Sequence, residues 1–119
     1  MSVGEFWTFN FWELRLGFQG RELEELTRLG IIPEYGRVKG VRAIKLFRIE
    51  EGDDVGQFLA VTIYESREAF NAWFTSNSLD YHRWEQSLRP TLERWSAAAN
   101  LTGVHRLVEL LDFRFEHND

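Results

Sequence analysis

The chain has no cysteine, which removes disulfides, thiolate catalysis and cysteine-ligated metal or iron–sulfur centres. It has no basic block either. Its 14 Lys and Arg are scattered and outnumbered by 19 Asp and Glu, for a formal net charge of −5. That balance argues against nucleic acid and anionic membrane as partners. No apolar run approaches the roughly 20 residues that span a bilayer. The start, Met1-Ser2-Val3-Gly4-Glu5, lacks the basic-then-apolar order of a signal peptide, so a cytoplasmic location is expected. There is no Gly-x-Gly-x-x-Gly, no phosphate loop and no Gly-x-Ser-x-Gly. Three histidines without a close pair argue against a zinc site, and no metal site is expected.

Aromatic rings are what the chain has in excess: five Trp, ten Phe and three Tyr in 119 residues. The length fits one domain over residues 1–119. Each ring buries a large apolar area, and a domain this small has little interior to hold them. Some rings should therefore lie at an interface or line a cavity.

Residues Glu5–Leu16 read as a strand with Trp7, Phe9 and Phe11 on one face and Phe6, Thr8, Asn10, Trp12 and Leu14 on the other. Arg21–Leu29 reads as a short helix, ended or interrupted by Gly30 and Pro33. Val41–Ile49 and Gln57–Tyr64 read as a hairpin around the acidic loop Glu50–Asp54. Ser66 is an N-cap for a helix carrying Ala69, Phe70, Trp73 and Phe74. From Tyr81, a stripe through Trp84, Leu88, Leu92 and Trp95 keeps its phase across Pro90, as one kinked helix or two nearly collinear ones. Asn100 and Gly103 should end it, with a last strand over Val104–Phe115.

The order β-α-β-β-α-β predicts an α+β, ferredoxin-like domain with a four-stranded antiparallel sheet. Helices on one side would leave the other face bare. A bare face of Trp, Phe and Leu is untenable in water. Pressing it against a second copy is the simplest cover, so a homodimer is expected.

The segment from Val61 to Trp73 reads Val-Thr-Ile-Tyr-Glu-Ser-Arg-Glu-Ala-Phe-Asn-Ala-Trp, followed by Ser76. A strand ending in an aromatic, then Ser-x-x-Ala-Phe-x-x-Trp, resembles the antibiotic biosynthesis monooxygenase family. That resemblance implies a dimeric α/β barrel and a small aromatic or phenolic ligand. It implies a monooxygenase without a cofactor, in which the phenolic substrate is itself the reductant for O₂. It also admits a haem-binding or haem-degrading enzyme, since such members use a first-strand Asn, the Trp of this motif and a following His. The matching positions are Asn10, Trp73 and His82, with Trp12 and Tyr64 as further pocket candidates.

Read from the residues alone, Trp73 is core, because helical aromatic stripes usually are. Asn10 is an amide on an apolar face, which needs a partner. His82 falls roughly 120° from the inward stripe at about 3.6 residues per turn, an outward position near Glu85. A non-catalytic dimeric ligand-binding or regulatory module stays open beside the two enzymatic readings.

Overall fold

The computed structural model describes residues 4–117. Its elements are β1 (Phe6–Leu14), α1 (Gly20–Leu26), a π-helical turn (Thr27–Ile31), α2 (Ile32–Tyr35), β2 (Val41–Arg48), β3 (Phe58–Tyr64), α3 (Arg67–Phe74), α4 (Leu79–Ala98) and β4 (Ala99–Val108). The strands form one sheet in the order β2-β3-β1-β4, antiparallel throughout. With β3 between β1 and β2, the link from β1 to β2 must cross the sheet, and α1 to α2 makes that crossing. This is the ferredoxin-like α+β arrangement.

Register assigns the faces. Phe6, Thr8, Asn10 and Trp12 lie opposite Tyr64, Thr62, Ala60 and Phe58 on the helix-covered side. Trp7, Phe9 and Phe11 lie opposite Ile63, Val61 and Leu59 on the other. Under the helices, Leu23, Phe58, Trp95, Ala98 and Ala99 form one buried cluster, and Val38, Trp84 and Leu88 a second. Phe6 packs on Phe70 of α3 at 5.0 Å between ring centroids. The helix ends are capped as the sequence requires: Ser66 Oγ accepts from Ala69 N–H at 3.0 Å, and Ser78 Oγ from Tyr81 N–H at 3.1 Å. No helix among the described residues is long and apolar enough to cross a membrane.

Two segments depart from the sequence expectation. The first helical segment does not stop at Gly30 or Pro33; it runs through a π-helical turn into α2. Pro33 stands in the first turn of α2, where a missing N–H costs little. Gly30 is needed for another reason: a methyl there would collide with Thr91 of α4, so the two helices touch at this point.

β4 begins at Ala99, directly off α4, so Asn100 and Gly103 lie inside the strand. Pairing shifts between Phe11↔Gly103 and Trp12↔Leu101, leaving Thr102 as the extra residue of a bulge. A Cβ at Gly103 would meet the Phe11 ring at 3.6 Å, an ordinary packing contact. The strand ends at Val108 rather than Phe115. Pro90 does not divide the long helix, which is continuous over Leu79–Ala98.

Candidate functional site

Along β1 the covered face changes character. Phe6 and Trp12 are its apolar ends, and Thr8 and Asn10 lie between them, with Thr62 beside Thr8 on β3. The helices do not seal this polar strip. Above it lies a cavity of about 110 Å³. The sheet lines it with Asn10, Trp12, Ile44, Leu46, Ala60 and Thr62; Thr27, Ile31 and Tyr35 form one wall, and Leu92 and Trp95 of α4 another. The π-helical turn matters here. It holds Thr27 and Ile31, and α2 brings Tyr35 one further turn along; π turns are often found at functional sites. Thr27 spends its hydroxyl on Leu23 O at 2.7 Å, so it contributes shape rather than a free donor.

The polar groups of the slot are mostly donors. The indole N–H groups of Trp12 and Trp95 are buried with no hydrogen-bond partner among the described residues. Each such orphan costs about 1–3 kcal/mol. Trp12 and Trp95 meet edge to face at 5.6 Å between ring centroids, and both rings line the slot while their N–H groups are sealed in the packing. Tyr35 stays a neutral phenol: burial, then the neighbouring Tyr81, pushes its pKa up to about 12. Asn10 adds an amide. Lys45 also borders the slot, but its register opposite Val61 sends the side chain to the bare face. No carboxylate or imidazole lines the slot.

This arrangement can bind and orient a flat apolar molecule and donate hydrogen bonds to its oxygen atoms. A cavity of about 150 Å³ takes up benzene; the slot, at about 110 Å³, is somewhat smaller, so a ring enters only with a small outward shift of its walls. The lining supplies no ionised base, and substrate deprotonation must be favoured by stabilising the anion.

Of the expected site residues, Asn10 and Trp12 come together in the slot. Trp73 lies elsewhere, stacked edge to face on Trp84 at 5.6 Å and Tyr81 at 5.8 Å. It borders a surface cleft of about 650 Å³ with Arg37, Lys39 and Arg83, and its own indole N–H is buried without a partner. Tyr64 is buried among Phe6, Phe70 and Phe74. Burial, then Tyr35, pushes its pKa upward. His82 is exposed, and its Nε2 meets Asn77 Oδ1 at 2.7 Å. Tyr35, Thr62 and Trp95 were not singled out from the sequence. Thr62 interrupts an apolar strand and Trp95 ends the inward stripe of α4, so both left a signal. Tyr35 left none, because its place depends on the helix continuing past Pro33.

No protein-family model matches the sequence, and no curated protein matches it. Solved structures do. SnoaB of Streptomyces nogalater, a cofactor-independent oxygenase, superposes with a TM-score of 0.58 at 14% identity, covering 92% of this chain and 97% of that one. A haem-degrading protein of Mycobacterium tuberculosis gives 0.58 at 18% identity, over 95% and 99% of the two chains. A protein of Bordetella bronchiseptica described as an antibiotic biosynthesis monooxygenase gives 0.59 at 18%, over 92% and 100%. The chain therefore shares the fold of these proteins. At these identities the likeness extends to the fold alone.

The haem-degrading neighbour raises the question of fit. His82 is turned away from the slot and engaged with Asn77, and no other imidazole borders the slot. The slot has the room of one ring rather than of a porphyrin. The residues present do not fit a haem in this position.

Proposed function

We propose that this chain is a small-molecule-binding protein of the antibiotic biosynthesis monooxygenase type. It binds an aromatic phenol in the slot above Asn10 and oxidises it with O₂ without a cofactor. The observation that carries this reading is the slot itself: apolar walls, an amide and a neutral buried phenol, with no carboxylate or imidazole in the lining. A phenolate is the form that gives an electron to O₂, and in this slot hydrogen bonds from Asn10 and Tyr35 have to offset the desolvation that keeps Tyr35 itself neutral.

The balance needs no external reductant. A phenol with a hydrogen at the para carbon supplies all four electrons, giving up that C–H and its O–H. O₂ adds at that carbon. The O–O bond then breaks to leave one oxygen as the product carbonyl and the other as water. The Asn10 amide and the Tyr35 hydroxyl hold the substrate oxygen. Ile31, Ile44 and Leu92 hold the ring. The working form is a homodimer in which the bare sheet faces cover one another.

Oxygen uptake with such a phenol tests the reading. One O₂ should be consumed per turnover, with one atom of ¹⁸O₂ in the product and the other in water. Asn10→Leu should slow uptake about a hundredfold or more without unfolding the chain. Neither binding nor oxygen consumption by the folded wild type would end the proposal. Hemin at micromolar concentration is the control for the other chemistry: a Soret shift that His82→Ala abolishes would replace this reading with haem binding.

A further inference from the structure

The slot is the gap between the two buried clusters of the helix layer. At one end stand Trp12 and Trp95, which pack with Phe58 in the first cluster. At the other stands Tyr35, which packs with Val38, Trp84 and Leu88 in the second. α4 serves both ends, with Leu88 and Trp95 roughly 10 Å apart along it at about 1.5 Å per residue. The sheet gives a similar measure. Trp12 lies opposite Phe58, Asn10 opposite Ala60 and Thr8 opposite Thr62. From Phe58 to Thr62 the floor runs roughly 13 Å at about 3.3 Å per residue, and Asn10 is its middle rung. The end rings take up part of that length, and a space of about 110 Å³ is left.

Each end is an aromatic pair set edge to face: Trp12 on Trp95 at 5.6 Å between centroids, and Tyr35 on Trp84 at 5.2 Å. Tyr35 is fixed from both sides along the backbone. Trp84 Nε1 donates to Glu34 O at 2.8 Å, just before it, and Val38 N–H donates to Tyr35 O at 3.1 Å. Behind its ring, Trp84 is only 3% exposed. The sides of the slot are looser. β2 is an edge strand, Leu92 is 42% exposed and Ser96 is exposed, so the slot meets solvent beside α4.

We propose that Tyr35 sets the length of the substrate: its ring, backed by Trp84, closes the slot along the strands, so that a single-ring phenol enters and a fused second ring is excluded. The proposal rests on the phenol reading above and narrows its substrate class. The small outward shift that one ring needs falls to β2 and Leu92, which have solvent beside them. Substituents of that ring leave by the mouth at Leu92 and Ser96. A second fused ring lying along the strands instead meets a packed end wall. Forcing a group into such packing lowers affinity roughly tenfold to a hundredfold. The indole pair at the far end is core, joining the sheet to α1 and α4. Tyr35 is the wall that substitution can move, because Val38 and Leu88 behind it offer apolar ground to a second ring once the tyrosine ring is gone.

Binding is measured without O₂ by calorimetry on the full chain, so that specificity is read apart from turnover. The probes are phenol and 2-naphthol. With no wall, 2-naphthol would be the tighter ligand, because it buries more apolar area. The wild type should instead bind it at least roughly tenfold more weakly than phenol. Tyr35→Phe keeps the ring and should keep that preference. Tyr35→Ala should reverse it, and Tyr35→Leu is read in the same way if the alanine variant does not fold. Equal binding of the two probes by the wild type overturns the proposal and leaves the phenol reading in place, with no variant needed. A folded Tyr35→Ala or Tyr35→Leu that keeps the wild-type preference also overturns it, as does a Tyr35→Phe that loses it. A wild type that binds neither probe overturns both. The expected preferences without oxygen uptake support the wall and end the oxidation reading alone.

Discussion

The two faces of the sheet carry similar numbers of rings and treat them differently. On the covered face, Phe6 is 1% exposed and is held by Tyr64 and Phe70. On the bare face, Trp7, Phe9 and Phe11 form a ladder with centroids 6.4 Å apart and no helix over them. Their bulk shields Val61 beneath, which is 1% exposed, but the rings themselves stay half-buried. One face is completed by its own chain; the other is built for something the single chain lacks. Polarity follows the same division. The covered face admits Asn10 and Thr62 because a slot lies above them, while Thr8 is buried outside it. On the bare face His105 lies opposite Phe9 and Lys45 opposite Val61, and at its end Glu5 accepts from Trp7 Nε1 at 3.1 Å and from Arg42; these hydrogen bonds, Arg42 first, hold its carboxyl below the usual range.

The sharpest way to separate the faces is by stability. Phe6→Ala should cost about 3–5 kcal/mol, the range for a fully buried ring. Phe9→Asp should cost the single chain much less and act on assembly instead. Urea unfolding at protein concentrations far below and far above the dimer midpoint measures both. An equal, concentration-independent loss for the two would erase the distinction.

Within the covered face, Asn10→Leu separates site from core. Phenol turnover should fall about a hundredfold to a thousandfold, as when a single oxyanion donor is removed. The melting temperature should hold or rise, because an amide leaves an apolar face. A variant that melts much lower, with unchanged turnover, would make Asn10 structural.

Tyr35 gives a pH signature. Its folded pKa lies above its unfolded value of about 10, so its stabilising contribution is full below pH 10. Above that pH the unfolded chain loses the proton first, and stability declines as pH rises toward about 12. Tyr35→Phe should flatten part of that alkaline decline, read from denaturation midpoints between pH 9 and 11. Tyr64 shifts in the same direction and leaves a residual slope.

The smallest effect is at a helix end. Ser66→Ala removes the acceptor for Ala69 N–H and should cost about 1 kcal/mol. Turnover should be unchanged, because α3 borders no part of the slot. A drop in turnover would tie α3 to the site and restore Trp73 as a candidate.

The strands, the caps and the division of β1 into two faces were legible in the sequence, because each depends on residues two to four positions apart. The apolar excess was legible too, as composition. Where the first helix and β4 end was not. Gly30 and Asn100–Gly103 carry the local chemistry of breaks, but Thr91 and Phe11, remote in sequence, turn those small residues into contacts. The site was half legible. Asn10 stood out as polar among apolar neighbours. Tyr35 and Trp95 became its walls only when a π turn and a long helix brought them over the same strand.

The alternation along the chain thus determined that there would be a sheet with two apolar faces, since period-two patterning needs only the local pleat. Which face receives helices, where a void remains between them and which indoles lose their partners were decided by tertiary packing. Those outcomes depend on how surfaces far apart in the chain fit together, and the spacing of residues along it does not encode them.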